Sequence, residues 1–252
     1  MLRNISQRLN MSAIQKRLVA FDFDHTIIDE NSDLYVRKLL PGGKVPEEIK
    51  SIYSDRGWTK YMGAIFRKLY ENGSTKQDFL NCMNELEFTS GMKELLEYLS
   101  EKEDEVIIIS DSNSFFIDCI LKESGMLPHI TKVFTNPAKF DSDGCLLVDY
   151  YHTQDWCDLS TVNLCKGHIL DAYVQERKEA GVTFKQVIYV GDGHNDLCPS
   201  LRLKSSDFVC PRKGYRLLKA IRNIKDETSQ PLLAKVIEWD NGNDILNVLQ
   251  SE

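Results

Sequence analysis

Three short, uninterrupted runs of apolar residues stand out along the chain, and each ends in a cluster of small polar or acidic residues. The runs cover residues 18–21, 106–109 and 187–190. Runs of this length that are rich in β-branched residues are typical of parallel strands covered by helices on both faces. Segments with helical periodicity lie between them, at residues 92–99, 115–122 and 169–179. This alternation predicts a doubly wound α/β fold with a parallel, Rossmann-like sheet, whose ligands bind at the carboxyl ends of the strands.

The segment of residues 33–89 interrupts this alternation. It has helical periodicity at residues 34–39, 58–70 and 77–86, and its pattern contains no strand. We therefore predict a small helical cap at 33–89, inserted after the first strand. The α/β core then comprises residues 18–32 and 90–252, preceded by an N-terminal extension of residues 1–17.

A second irregularity lies at residues 132–152, whose pattern predicts a β excursion. Its expected parts are a strand at 133–135, a turn at the D-S-D-G sequence of 141–144, and a second strand at 145–148.

Composition excludes several classes of protein. The 252 residues are 42% hydrophobic and 27% charged, which is ordinary for a globular domain. The formal net charge of −7 argues against nucleic acid as a partner, because phosphate backbones are bound by clustered Lys and Arg. No run of eighteen apolar residues occurs, so no membrane span is expected. Nothing in the pattern indicates an obligate protein partner.

Cysteine usage and the N-terminal segment bear on the compartment. The seven cysteines are scattered and odd in number, which favours reduced thiols in an intracellular, cytoplasmic protein. Residues 1–17 carry four basic side chains and no acidic one. That composition is also found in mitochondrial targeting segments, so mitochondrial targeting is the alternative.

The first and third predicted strands end in carboxylates. Asp22 and Asp24 follow the first strand, and alternation directs both side chains to the same side. Asp192 and Asp196 follow the third strand in the sequence G-D-G-H-N-D. Carboxylate oxygens are the ligands that Mg²⁺ prefers, so these two strand ends together predict a magnesium site.

The second predicted strand ends in Ser110-Asp111-Ser112-Asn113. A hydroxyl and the free N–H groups at a helix start can hold a phosphate oxygen. A plain helix N-cap would have the same sequence, and the segment alone does not distinguish the two.

Four motifs in order resemble those of the haloacid dehalogenase superfamily: D-x-D-x-T, a Ser after the second strand, a Lys before a helix, and G-D-x-x-x-D. Within it, the chain resembles the animal group of phosphoethanolamine/phosphocholine and pyridoxal phosphate phosphatases. The resemblance spans Val19 to Tyr215 and includes FDFDHTIIDENSD, IIISDSNSFFID, NLCK and YVGDGHNDLCP. The segments SDSNSFFID and VFTNPA are more similar to those of the pyridoxal phosphate phosphatase.

The resemblance implies a magnesium-dependent phosphomonoesterase that acts on a small phosphate ester. It implies Asp22 as the nucleophile, Asp24 as the proton donor and Thr26 as a support of the turn. Lys166 would offset negative charge, and Ser110 would hold a phosphate oxygen. The resemblance further implies that Mg²⁺ is bound by Asp22, the backbone carbonyl of Asp24, and Asp192, with Asp196 nearby.

The resemblance places Asp33 and Asp111 beside the leaving group of the substrate. Two carboxylates there would favour a cationic head, and electrostatics alone does not separate pyridoxal 5′-phosphate from phosphoethanolamine or phosphocholine. The chain departs from the family in a stretch rich in cysteine, where Cys157 and Cys165 remain. Their spacing does not match a zinc site, so buried free thiols are expected there rather than zinc.

Two other functions remain as alternatives. Phosphotransferase or mutase chemistry uses the same D-x-D, but the sequence offers no second phosphate clamp. A non-catalytic binding relative would be expected to lack Asp22, Asp24, Lys166 or Asp192, and all four are present.

Overall fold

The computed structural model of the chain describes residues 14–54 and 57–251. The strands are β1 (Ile14–Phe21), β2 (Glu105–Asn113), β3 (Lys132–Asn136), β4 (Ala138–Phe140), β5 (Leu146–Val148), β6 (Val182–Gly191), β7 (Phe208–Pro211) and β8 (Lys235–Val236). Six of them form one sheet in the order β3-β2-β1-β6-β7-β8, and all neighbours in it are parallel. β4 and β5 form a separate antiparallel pair. The predicted doubly wound α/β fold is confirmed.

Helices surround this sheet. They are α1 (Ser32–Tyr35), α2 (Glu47–Lys50), α3 (Trp58–Glu71), α4 (Lys76–Asn84), α5 (Met92–Glu101), α6 (Ser114–Glu123), α7 (Lys166–Glu179), α8 (Leu197–Ser200), α9 (Arg216–Arg222), α10 (Ile224–Glu227) and α11 (Gly242–Gln250). Short 3-10 turns lie at Val36–Leu39, Pro41–Gly43, Leu127–His129 and His194–Asp196. No helix of the described part of the chain is long and apolar enough to cross a membrane.

The apolar runs form the central strands because both of their faces are buried. In β1, Val19 and Phe21 enter one hydrophobic cluster, whereas Leu18 and Ala20 enter another on the opposite face. β2 and β6 divide their residues between the same two clusters. A strand buried on both faces has no polar side to alternate with, which explains the continuous apolar pattern.

Both strands and the turn predicted within residues 132–152 are present, and the structure adds a further strand, β4, which the sequence did not predict. The strand predicted at 133–135 belongs to the main sheet as β3, with Val133 opposite Ile108 and Phe134 opposite Ile109. Pro137, which has no N–H to donate, separates β3 from the hairpin that follows. β5 therefore pairs with β4, and the predicted turn closes this pair, with Asp141 Oδ1 accepting from the backbone N–H of Cys145 at 2.8 Å.

The insertion between β1 and β2 is helical and contributes no strand to the described sheet; a single bridge joins Ile28 to Phe88. Its apolar side chains join the hydrophobic cluster of the sheet's first face, so that one core continues from the sheet into the insertion. Phe66 of α3, for example, packs edge-on against Phe116 of α6, with ring centroids 5.6 Å apart.

At the N-terminus, β1 begins at Ile14, four residues before the predicted start of the core. The rest of the predicted extension, residues 1–13, lies outside the described residues.

Candidate active site

The candidate site lies where the strand order reverses, between β1 and β6, which is where open α/β sheets bind ligands. Asp22 follows β1 directly, and Asp192 follows β6 directly. The backbone N–H of Asp22 donates to the carbonyl of Val190 at 2.9 Å, so the two strand ends are held side by side. The parallel register therefore brings together carboxylates that are 170 positions apart in the sequence.

Three buried carboxylates and one buried ammonium form the centre of the site. Oxygens of Asp22, Asp192 and Asp196 lie within 4.8 Å of one another. Lys166 Nζ lies 2.8 Å from Asp22 Oδ2 and 2.7 Å from Asp196 Oδ1, and its side chain is only 1% exposed. The lysine that the sequence indicated by position is thus in contact with the predicted nucleophile.

Asp196 is saturated with hydrogen bonds. Its Oδ1 accepts from Lys166 Nζ and the Tyr189 hydroxyl, and its Oδ2 accepts from the backbone N–H groups of Asp192 and Gly193. Asp196 therefore fixes Lys166 and the loop that carries Asp192.

Burial and neighbouring charges shift the pKa values of Asp22, Asp192 and Lys166. Burial raises the pKa of Asp22 to about 7, although the positive charge of Lys166 opposes this shift. Burial and the charges of Asp22 and Asp196 raise the pKa of Asp192 to about 8. Burial acts to lower the pKa of Lys166, but the charges of Asp196 and Asp22 outweigh it and raise that pKa. One ammonium does not compensate three carboxylates in this enclosed position.

A cavity of about 160 Å³ opens onto this centre. Six of the nine site residues predicted from the sequence line it: Asp22, Asp24, Asp33, Ser110, Asp111 and Asp192. Lys166 and Asp196 lie behind Asp22, outside the lining. Thr26 is fully buried in the turn below, where its backbone N–H donates to the carbonyl of Phe23 at 3.2 Å.

Asp24 faces the cavity beside the predicted nucleophile. Its Oδ1 accepts from the backbone N–H of Ser32 at 3.0 Å. Burial raises its pKa well above the usual range of an aspartate, and the negative charge of Asp33 adds to the shift. A carboxyl group in such surroundings can hold a proton, which is what a general acid requires.

Asp33 and Asp111 reach the cavity from different elements and have different partners. Asp33 lies on α1 and accepts from Trp58 Nε1 of α3 at 2.7 Å. Burial raises the pKa of Asp33 to about 6, and the hydrogen bond from Trp58 opposes that shift. Asp111 at the end of β2 accepts from the side-chain amides of Asn195 at 2.6 Å and Asn163 at 3.1 Å.

Sequence reasoning did not identify Trp58 or Asn195 as site residues, and both line the cavity. Asn195 lies within the G-D-G-H-N-D motif, so its position at the site could have been predicted from the sequence. Trp58 was recognised only as the start of a helical pattern. The carboxylate that it contacts lies 25 positions earlier, and no local pattern connects the two.

The donor set fits a hard divalent cation. Asp22 and Asp192 offer buried carboxylate oxygens, which are Mg²⁺ ligands, and neither is saturated in the way that Asp196 is. Their raised pKa values reflect the energetic cost of burying these carboxylates, to which the charges of neighbouring carboxylates add. A cation there would lower these pKa values by favouring the charged forms.

Comparison with known proteins defines the class. The crystal structure of a phosphoserine phosphatase in its apo form superposes with a TM-score of 0.63 at 17% sequence identity, covering 94% of this chain and 98% of that one. The fold is therefore that of the haloacid dehalogenase-type phosphatases. In sequence, the chain is 40% identical over 237 residues to the pyridoxal phosphate phosphatase PHOSPHO2 of Homo sapiens, covering 93% of this chain and 98% of the relative. It is 33% identical over 253 residues to the phosphoethanolamine/phosphocholine phosphatase of Homo sapiens, covering 99% of this chain and 94% of the relative.

The model of the family described as Putative Phosphatase matches residues 17–252. The chain belongs to this family and is a phosphoric monoester hydrolase.

Proposed function

We propose that this enzyme is a magnesium-dependent phosphatase that cleaves pyridoxal 5′-phosphate through a phosphorylated Asp22. One observation carries the proposed mechanism: Asp22 is buried, oriented by Lys166, and shares a small cavity with a second carboxyl group, Asp24. In the first step Asp22 attacks phosphorus and the ester P–O bond breaks. Asp24 gives its proton to the leaving oxygen.

The second step releases phosphate. Asp24, now a carboxylate, takes a proton from water as the water oxygen attacks the phosphorus on Asp22. The bond between phosphorus and Asp22 breaks, which frees inorganic phosphate and restores both carboxyl groups. Lys166 holds the orientation of Asp22 throughout, and we propose that the Ser110 hydroxyl holds a phosphate oxygen.

Asp22, Asp192 and the backbone carbonyl of Asp24 would hold Mg²⁺. When bound, the ion would neutralise negative charge on the phosphoryl oxygens. We propose that Asp196 contributes mainly by positioning Lys166 and the Asp192 loop, because direct ligation would require it to give up hydrogen bonds. Thr26 would support the turn that carries both catalytic carboxyls.

We propose that residues 33–89 form a cap over the cavity, with residues 18–32 and 90–252 as the catalytic core. The positions of Asp33 and Trp58 support this, because both come from the inserted segment and both line the cavity. Their hydrogen bond fixes the cap's contribution to the wall. The carboxylate of Asp33 would attract a cationic head, and the indole of Trp58 could pack against an aromatic ring or a cation.

The choice of pyridoxal 5′-phosphate is supported by the 40% identity to an enzyme of that name. Phosphoethanolamine and phosphocholine are the second candidates, since a relative at 33% identity bears that name. All three substrates offer a positive or protonatable group to Asp33. We further propose that the enzyme acts in the cytoplasm, which its seven free cysteines support.

The test is phosphate release from a panel of esters, with Mg²⁺ and with EDTA. Asp33→Asn keeps the shape of the side chain and an acceptor for Trp58 but removes the charge. It should raise KM for the substrates with cationic heads and affect p-nitrophenyl phosphate much less. Asp111→Asn removes the other carboxylate charge but keeps an oxygen that can accept from Asn195. It therefore separates recognition of positive charge from the positioning of Asn195. The exposed Asp118→Asn is the matched control.

Two results would contradict this proposal. Activity that is unchanged by EDTA would remove the metal from the mechanism. A uniform fall in kcat/KM for every ester in Asp33→Asn would mean that this carboxylate maintains structure and does not select the substrate.

A further inference from the structure

Behind the candidate active site, three cysteine thiols meet. The sequence indicated Cys157 and Cys165 as buried free thiols, and the structure adds Cys198 from α8. Cys157 Sγ lies 3.4 Å from Cys198 Sγ, and Cys165 Sγ lies 3.8 Å from it. All three sulfur atoms lie within 4.8 Å of one another, and all three thiols are free.

These separations fit one tetrahedral metal ion. With a Zn–S bond of about 2.3 Å, two sulfurs on a tetrahedral zinc are about 3.8 Å apart. The separations are far longer than the roughly 2.05 Å of a disulfide. Cys165 and Cys198 are buried and Cys157 is half-buried, so one side of the triangle is closer to solvent.

The surroundings favour a thiolate at Cys165, whereas the hydrogen bond to Cys165 and burial raise the pKa of Cys198. Cys165 is the N-cap of α7, and its sulfur accepts hydrogen bonds from Cys198 and from the backbone N–H of His168, which lower its pKa. Helix N-termini stabilise thiolates in this way. The guanidinium of Arg202 hydrogen-bonds to Cys198 and pairs with Asp171 at 3.4 Å. Three thiolates on a divalent ion would leave a net charge of −1, which this guanidinium would offset.

The lack of a side chain at Gly167 leaves room for the cysteine cluster. Gly167 is the second residue of α7, and a Cβ atom there would lie 2.6 Å from Cys198 Sγ and 3.2 Å from Arg202 Nε. Any side chain at this position would force Cys198 Sγ or the backbone of α7 to shift. The absence of a side chain therefore permits the close approach of the third sulfur.

We propose that Cys157, Cys165 and Cys198 form a site for one Zn²⁺ ion, with water in the fourth position on the solvent side. Binding would release the thiol protons to solvent. The donors are soft sulfur atoms, so this site is chemically distinct from the carboxylate site proposed for Mg²⁺. Cys165 directly precedes Lys166, and Cys198 lies two positions after Asp196. Bound zinc would thus tie together the two segments that carry the Lys166–Asp196 pair.

The test is a cobalt titration of the full-length, reduced and metal-stripped protein, in excess Mg²⁺ so that the carboxylate site is occupied. One equivalent of Co²⁺ should produce thiolate-to-cobalt charge-transfer absorption in the near ultraviolet, and Zn²⁺ should displace it. Cys157→Ser, Cys165→Ser and Cys198→Ser should each weaken or abolish the band. Cys119→Ser changes a buried cysteine elsewhere and should leave the band intact.

A second measurement needs no substitution. One equivalent of Zn²⁺ should protect Cys157, the half-buried member of the cluster, from a thiol reagent in the native protein. Three results would overturn the proposal: no thiolate band in the wild type, a full band in Cys198→Ser, or a metal-free protein isolated with a disulfide inside the cluster. None of these readouts depends on phosphatase activity, so the zinc site and the proposed function can fail independently.

Discussion

Replacing Lys166 by Met tests the charge balance of the site directly. The lysine side chain is 1% exposed and contacts Asp22 and Asp196 at 2.8 and 2.7 Å. Methionine retains an unbranched apolar side chain but leaves two buried carboxylates without their cation. Removing one partner of a buried ion pair is strongly destabilising, by about 3–5 kcal/mol, because the remaining charge is uncompensated.

Protonation limits this loss. A carboxylate that has lost its cation can take up a proton. Each pH unit above its unfolded-state pKa of about 3.9 adds about 1.36 kcal/mol to the free energy of protonating it. At pH 7 the cost is about 4 kcal/mol, and at pH 5 it is about 1.5 kcal/mol. Lys166→Met should therefore lower the free energy of unfolding, relative to the wild type, by up to about 4 kcal/mol at pH 7 and about 1.5 kcal/mol at pH 5.

The direction of the pH dependence follows from proton linkage. Without metal, burial already raises the pKa of Asp22 to about 7 and that of Asp192 to about 8 in the wild type, so these two groups make both proteins less stable as pH increases. The folded variant holds one further proton, because Asp196 loses its ammonium partner and takes up a proton in its place. A raised folded pKa contributes stability at low pH that is lost as pH increases. The variant's stability should thus fall more steeply than the wild type's between pH 5 and 7, by about 1.36 kcal/mol per pH unit.

Urea unfolding with EDTA, followed by tryptophan fluorescence at pH 5, 6 and 7, measures this difference. The matched control is Lys132→Met, which removes an exposed pair with Glu176 at 3.1 Å. That change should cost less than about 1 kcal/mol and vary little with pH. A loss in Lys166→Met that is the same at pH 5 and pH 7, or no larger than in the control, would refute the reasoning.

Three further substitutions address the chemistry. Asp22→Asn should fold normally yet be essentially inactive, and with Mg²⁺ and beryllium fluoride it should not form the phosphoryl-aspartate mimic that the wild type forms; measurable turnover would exclude covalent catalysis. Asp24→Asn should slow single-turnover phosphorylation by alkyl phosphates by about 10²–10⁴-fold, and by p-nitrophenyl phosphate much less, since that leaving group needs no proton; equal losses would remove Asp24 from the acid role. Asp192→Ala should sharply weaken the Mg²⁺ dependence of activity in a metal titration, and an unchanged half-saturating concentration would mean that Asp192 is not a ligand.

The central sheet was predictable because its strands are buried on both faces, which makes them continuous apolar runs. β7 was missed because its apolar run, residues 208–210, has only three residues and is followed by Pro211, and β8 was missed because it contains only two residues. The pattern of residues 132–148 indicated strands but not their partners, because strand pairing depends on which strand lies alongside. Nothing in the sequence states that Ile108 lies opposite Val133.

The carboxylates of the site were predictable for a topological reason. In a parallel sheet all strands end at the same edge, so polar residues after separate strands converge without any further information. Trp58 and Cys198 lacked such a rule. Trp58 reaches the cavity from an inserted helix. Cys198 lies on α8, which packs against α7, and it meets Cys157 of the preceding loop across 41 positions. Contacts of this kind can be identified only from the tertiary structure.

The shared hydrophobic core sets a limit on the size of the ester that can enter. The cavity of about 160 Å³ is smaller than the roughly 300–1,000 Å³ of most ligand pockets. Swinging the whole insertion outward would separate rings such as Phe66 and Phe116. Exposing one aromatic side chain of 150–250 Å² costs about 4–6 kcal/mol at 25 cal/mol per Å². A phosphate ester that could enter only by such an outward swing would bear that cost at every binding event, so the shared core favours small esters.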